Sequence, residues 1–304
     1  MKNPLARLLR FAGLSGNRKD HSLEFPADLK SPGNIMVYSG PLESAVWPAI
    51  LLANALQTTY KDVSMTVICP LRDGKLFKML RRKPEILCYD NRPKVPKELS
   101  KRESRPVSSL LFFPYSRIGK EEERFLRRIP CKIRIAPLEA PSPLVNIRVR
   151  TRTVELPGML EEMCGALRLA FDSAWKPVLP RNIALDADHL VRRDAGRGVP
   201  YMVVSPRVPA LLKKLGAEIP LRKVVLGKKG TYGTVERELA VALVAGSEAV
   251  VTDDATLWSD ACALGRPVVG LDSKNTFMKW RWAAPVENME EFAKQCRELA
   301  ARKW

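Results

Sequence analysis

The chain has no apolar run long enough to cross a bilayer, and only two of its 304 residues are histidine. The longest apolar stretch, Ala45 to Leu56, is short and is interrupted by Trp47-Pro48. Met1 to Leu14 has basic residues scattered through it and no cleavage-like segment behind it, so a secretory signal is not expected. His21 and His189 lie in polar surroundings. With so few imidazoles, neither a metal centre nor a His-based catalytic triad is expected. His189 stands near Asp186 and Asp188, an arrangement that a solvated loop explains better than a ligand cluster. The six cysteines, at 69, 88, 131, 164, 262 and 296, form no CxxC pair. Most sit in apolar patterns and read as reduced core thiols of a cytoplasmic protein. A Walker P-loop is absent. Basic residues are little interleaved with aromatics and no RNA-binding motif occurs, which makes nucleic acid the weaker partner.

What the chain does carry is positive charge, +18 in all. Residues 1–150 hold 28 Lys and Arg against 14 Asp and Glu, while residues 151–304 hold 23 against 19. A field concentrated in one half calls for an anionic partner: nucleic acid, anionic lipid or a phosphorylated saccharide. Much of it comes from Lys75, Lys78, Arg81, Arg82, Lys83, Arg92, Lys94, Lys97, Lys101 and Arg102, a run that by itself reads as a solvated face. Residues 1–32 read as an N-terminal arm. Leu5, Leu8, Leu9 and Ala12 recur at helical spacing with Lys2, Arg7 and Arg10 on other faces. Such a helix can lie on a membrane, or pack on the domain or fray; packing or fraying is the commoner outcome.

Strand and helix patterns alternate after the arm. Strands are expected at Asn34–Tyr38, Val63–Cys69, Glu85–Tyr89, Val107–Phe113 and Cys131–Ala136. Helices are expected from about Ser44 to Tyr60, Gly74 to Arg82 and Glu121 to Arg128, with a Pro- and Lys-rich loop at 92–106. This alternation argues for a parallel sheet covered on both faces. Met159, Leu160, Met163, Leu167 and Ala170 form one helical stripe, which reads as core. Residues 177–198, rich in Pro, Arg, Asp and Gly, read as an interdomain linker and surface loop. A second α/β unit opens at Tyr201–Ser205. It continues through a short basic helix or turn at Arg207–Leu215, a strand at Arg222–Gly227 and a helix at Thr234–Ala245. Asn288–Lys303 closes the chain as an amphipathic helix expected to pack back on the first domain.

The most specific segment is VVTDDATLWSDACALGRPVVG, from Val250 to Gly270. A short apolar strand ends in Asp253-Asp254, a helix runs from Ala255 to Leu264, Gly265 stops it, and Arg266-Pro267 leads into Val268-Val269. A helix that starts at the carboxyl end of a parallel strand points unpaired N–H groups and a positive dipole into the crevice where α/β sheets bind ligands. Asp254 can be a helix cap or part of an anion site; spacing alone leaves both open.

This segment resembles the signature of glycosyltransferase family 9, the family of the ADP-heptose:lipopolysaccharide heptosyltransferases. Asp254 falls on the family Asp, and Ala263-Leu264-Gly265-Arg266-Pro267-Val268-Val269 matches the closing half. Ala255 and Thr256 replace the hydroxyl residue and the Gly, and Ser259 stands where the family has a His. The resemblance implies a GT-B-like α/β fold, two Rossmann-like domains facing a central cleft. On that layout residues 33–176 form the acceptor domain, 199–285 a shortened donor domain, and 286–304 a helix returning to the first. It also implies sugar transfer from a nucleotide-diphosphate donor, ADP-heptose being a candidate, to a saccharide acceptor of the cell envelope. No metal or cofactor is implied, because helix dipoles and basic residues handle the leaving-group charge.

In the family an acid after the first strand is the proposed general base, and a Pro follows it in the helix. Trp47-Pro48 supplies that Pro, and Glu43 is the acid nearest the matching position. A plain helix-terminal role for Glu43, favoured by the dipole, is the competing reading. Donor-phosphate contacts are expected from Ser205, Arg207, Lys228, Asp254, Ala255, Thr256, Leu257, Ser259 and Lys274. The basic first half suits an anionic or lipid-linked acceptor and peripheral contact with the inner membrane. The departures at 43, 255, 256 and 259, with the shortened second domain, keep a second expectation alive: a relative that retained the fold as a binding or scaffold protein and lost the chemistry.

Overall fold

The computed structural model describes residues 29, 32–42, 45–90, 109–115, 117–129, 131, 133–138, 142–195, 199–227 and 235–302. The N-terminal arm, the basic loop over 92–106, Glu43 and Lys228 lie outside the described residues. No helix among the described residues is long and apolar enough to cross a membrane.

The first half is built on a six-stranded parallel sheet. Its strands are β1 (Asn34–Tyr38), β2 (Ser64–Pro70), β3 (Glu85–Tyr89), β4 (Ser109–Phe112), β5 (Ile133–Ala136) and β6 (Ile147–Arg148). They lie in the order β3-β2-β1-β4-β5-β6, the doubly wound order, so the chain reverses direction across the sheet between β1 and β4. β1 sits in the middle, with Asn34–Tyr38 paired to Ser64–Ile68 on one side and Asn34–Val37 to Ser109–Phe112 on the other. Four of its five residues are buried, as a central strand covered on both faces requires. Period-2 alternation sends Ile35 and Val37 into one apolar cluster and Met36 and Tyr38 into another.

The helices of this half are α1 (Val46–Thr59), α2 (Lys120–Leu126) and α3 (Gly158–Ala166), with a 3-10 helix over Leu71–Met79 where an α-helix starting at Gly74 was expected. β6 was not foreseen, because a two-residue strand leaves no periodic signal.

The second half has four parallel strands, β7 (Tyr201–Val204), β8 (Arg222–Val225), β9 (Ala249–Thr252) and β10 (Val268–Gly270), in the order β10-β9-β7-β8. Its helices are α4 (Arg181–Ala195), α5 (Val208–Lys214), α6 (Arg237–Gly246), α7 (Ala255–Ala263) and α8 (Met289–Ala300).

Two expectations are corrected here. The segment read as an interdomain linker is mostly helix α4, which packs against α6. Ile183, Ala187, Leu190 and Val191 make its apolar stripe, with Ala187 and Val191 buried. The density of charge around the stripe disguised it as loop. The C-terminal helix α8 does not return to the first domain. Phe292, Cys296 and Leu299 pack instead with Met202, Val204, Val251 and Val269 on one face of the second sheet. Asn288 caps it, accepting from the Glu291 N–H at 2.9 Å.

The other face of the second sheet, through Val203 and Val250, joins the same apolar cluster as Ile35 and Val37 of β1. α1, α3, α6 and α7 all contribute to that cluster. The two halves therefore share one continuous core rather than meeting only through a linker.

Candidate functional site

In the second sheet the order β8-β7-β9-β10 puts the reversal of winding between β7 and β9. Ligand crevices open at the carboxyl ends of the two strands flanking such a reversal. Ser205 and Arg207 follow β7, and Asp253 and Asp254 follow β9. The sequence-selected residues on these two ends are thus brought together. Ser205 is fully buried; its hydroxyl donates to the Asp253 carboxylate and accepts from the Asp253 N–H at 3.1 Å. This reciprocal pair ties the two strand ends across the reversal point.

Asp254 acts as the cap of α7. Its Oδ1 accepts from the N–H of Thr256 at 2.8 Å and of Leu257 at 3.0 Å. Its own N–H donates to Thr252 Oγ1 at 2.9 Å. The ambiguity left by the sequence is resolved toward the cap. The carboxylate occupies two of the N–H groups that an anion would otherwise use, while the side chain remains exposed. Ala255 and Thr256 line the half-buried start of the helix; Arg207 is exposed at the start of α5.

Two of the expected contacts, Leu257 and Ser259, are buried, and a third, Lys274, is exposed. Leu257 points into the core, and only its N–H, already taken by Asp254, faces the helix start. Ser259 is fully buried one turn into α7, and its hydroxyl has no hydrogen-bond partner among the described residues. Ser259 was expected among the donor contacts, but its side chain presents no accessible surface to the strand-end crevice. Lys274 is exposed on the turn after Leu271. That turn is held by the buried Asp272 carboxylate, which accepts from the N–H groups of Thr276 and Phe277, both at 2.8 Å. Asn275 there adopts φ 51°, the left-handed conformation that Asn tolerates.

In the first half, Gly40 and Ala45 are joined by a residue the sequence did not single out. The Tyr115 hydroxyl accepts from the Gly40 N–H at 2.6 Å and donates to the Ala45 carbonyl at 2.9 Å. Arg72 donates to the Pro41 carbonyl on the same turn. Burial pushes the Tyr115 hydroxyl well above its usual range, so it remains protonated and able to donate. Behind it Tyr38, Tyr89, Phe113 and Phe125 pack beneath the carboxyl ends of β1 and β3, with Tyr38 Oη donating to Glu122 at 3.2 Å. No local signal marks Tyr115, since it is brought to the turn from 70 residues away.

Among the described residues, no group of three or more His, Cys, Asp and Glu is arranged to hold a metal ion. A cavity of about 580 Å³ lies between the amino end of β10 and α8, lined by Arg266, Val268, Trp282, Lys294 and Glu298 among others. It is at the wrong end of the sheet for the candidate residues, so the strand-end chemistry locates the site better than cavity size does.

No family model matches the chain, and no curated protein matches its sequence. Solved structures do match its fold. The E. coli ADP-heptose LPS heptosyltransferase II aligns with a TM-score of 0.57 at 16% identity, over 88% of this chain and 98% of that one. A glycosyl transferase of family 9 from Veillonella parvula aligns at 0.59 and 11% identity, over 90% and 91%. The E. coli heptosyltransferase WaaC, solved with ADP, aligns at 0.57 and 12% identity, over 88% and 99%. At these identities the likeness is one of fold. The chain has a GT-B-type fold like that of the family 9 heptosyltransferases, and it spans nearly their full length.

Proposed function

We propose that the protein is a glycosyltransferase that moves a sugar from a nucleotide-diphosphate donor to a saccharide hydroxyl. Heptose is the candidate sugar, ADP-heptose the candidate donor and an anionic, lipid-linked acceptor of the cell envelope the candidate partner. The observation that carries this reading is the meeting of β7 and β9 at the start of α7, on a fold shared along almost the whole chain with heptosyltransferases. In the proposed reaction the acceptor oxygen attacks the anomeric carbon, and Glu43 takes the hydroxyl proton. The bond from that carbon to the diphosphate oxygen breaks, and the electron pair leaves with the diphosphate. The positive end of α7, with Ala255 and Thr256 at its start, offsets the departing charge, and Arg207, Lys228 and Lys274 are the cations proposed to assist it. Ser205 and Asp254 hold the frame of the site rather than the ligand. The reaction belongs in the cytoplasm, and the basic first half suits peripheral contact with an anionic membrane.

A specific observation favours a second reading, a binding or scaffold protein without turnover. The Asp254 carboxylate already fills the helix start, and Asp253 stands beside it. Titration with ADP and a panel of ADP- and UDP-sugars separates the two. A transferase is stabilised against heat by its donor nucleotide, because a ligand of the native state raises apparent stability. Glu43→Gln then keeps donor binding and loses transfer. A protein that responds to none of these nucleotides is not this enzyme.

A further inference from the structure

One buried carboxylate joins three segments that carry candidate groups. Asp260, fully buried on α7, accepts from the Trp47 indole N–H of α1 at 2.8 Å. The same carboxylate is gripped by both terminal nitrogens of Arg237 on α6, each at 2.5 Å. Trp47 is also fully buried, and only 9% of the Arg237 side chain is exposed. α1 belongs to the first half; α6 and α7 belong to the second. Trp47 lies in the first turn of α1, Arg237 opens α6, and Asp260 lies within the helix capped by Asp254. Lys75 of the first half adds a second tie beside Arg237, bonding Glu236 and Glu238 at 2.6 Å each.

The geometry is specific. A fork-shaped guanidinium on a carboxylate fixes both planes, and the indole N–H fixes a third direction. Buried away from water, such a junction tolerates little displacement, because moving any member strands a charge or a donor.

We infer that Asp260 is a positioning residue that holds α1 against α6 and α7 and so sets the distance from the start of α1 to the start of α7. Its catalytic consequence rests on the transferase reading; its structural content does not.

The test uses Trp47→Phe in the full chain. This variant keeps an aromatic ring in the core and leaves the Asp260–Arg237 pair intact, so the protein folds. Arg237→Lys is the second variant, retaining the charge while losing the fork. Hydrogen–deuterium exchange is followed in peptides from 45–59, 235–246 and 254–264. In both variants exchange is expected to rise at least several-fold in segments of both halves. Donor Kd, measured with ADP, should change less than about twofold while kcat falls about tenfold or more. Exchange that rises only in the mutated element, or kcat that is unchanged while both helices loosen, overturns the inference. If the wild-type protein shows no transfer with any sugar nucleotide, the transferase reading falls, and the exchange pattern alone decides whether Asp260 registers the halves.

Discussion

Replacing Asp254 separates its structural role from its electrostatic one. The carboxylate satisfies two N–H groups of α7, so Asp254→Ala loses a helix cap worth about 1 kcal/mol. A favourable charge at the positive end of the dipole adds about 0.5 kcal/mol. The sum, about 1.5 kcal/mol, acts on a chain of 304 residues. With an unfolding entropy of about 2.1 cal/mol/K per residue, that corresponds to a fall in Tm of about 2–3 °C. Asp254→Asn retains the cap, since Asn caps as well as Asp, and should lower Tm by only about 1 °C. The two variants should part company in ligand binding. A diphosphate held at the α7 start would carry about two charges roughly 6 Å from the carboxylate. At the dielectric of water each unit pair costs about 0.7 kcal/mol, so removing the Asp254 charge should tighten ADP about tenfold at low salt. The gain shrinks at physiological ionic strength, where screening acts over about 8 Å. Calorimetric titration of ADP into wild type and Asp254→Asn, at two salt concentrations, measures this. An unchanged affinity, or a loss, refutes the placement of the diphosphate at this helix start.

Tyr115→Phe removes the hydroxyl that joins Gly40 to Ala45; with both backbone groups left to find new partners, Tm should fall by an amount corresponding to about 1–3 kcal/mol, and transfer should weaken more than ADP binding does. Cys88 lies directly opposite Cys69 across β2 and β3, and a hydrogen bond from the Cys69 thiol pulls the Cys88 pKa down to about 7. Alkylation of Cys88 by iodoacetamide, followed by mass spectrometry against pH, should therefore rise through a midpoint near about 7, and Cys69→Ala should move that midpoint upward toward a free thiol near 8.5. Val191→Ala in α4 should lower stability by about 1–2 kcal/mol in denaturant titration if α4 is packed on α6 as found, and would cost almost nothing in a solvated linker.

Much of the fold was legible because buried parallel strands write themselves as short apolar runs. NIMVY, SMTVICP and AVVT needed no partner to be recognised, and the Gly265–Pro267 stop after α7 was local chemistry. The failures have a common cause. By composition residues 177–198 read as loop, because the apolar stripe of α4 is outweighed by the surrounding Arg and Asp. The return of α8 to the first half was carried over from the family layout. What decided its position was the pairing of Phe292, Cys296 and Leu299 with β7, β9 and β10, contacts between residues about 20 to 100 positions apart. Tyr115 and Asp260 were invisible for the same reason, since each does its work on a backbone or side chain remote in sequence.

The departures from the family signature take on a different weight once burial is known. Ser259, standing where a His was expected, is enclosed within the core with its hydroxyl unpartnered among the described residues. The proposed transfer therefore does not draw on it. Asp254 weighs the other way. It matches the family residue, yet its carboxylate consumes the donors that made the helix start attractive for a diphosphate. What then remains to oppose the leaving-group charge is the dipole itself and the proposed cations, of which Arg207 and Lys274 are exposed side chains long enough to reach inward. The transferase reading thus depends less on the residues that match the signature than on basic side chains the signature does not contain. Arg207→Ala should weaken ADP binding more than Asp254→Asn alters it in either direction, and the reverse order would move the site away from β7.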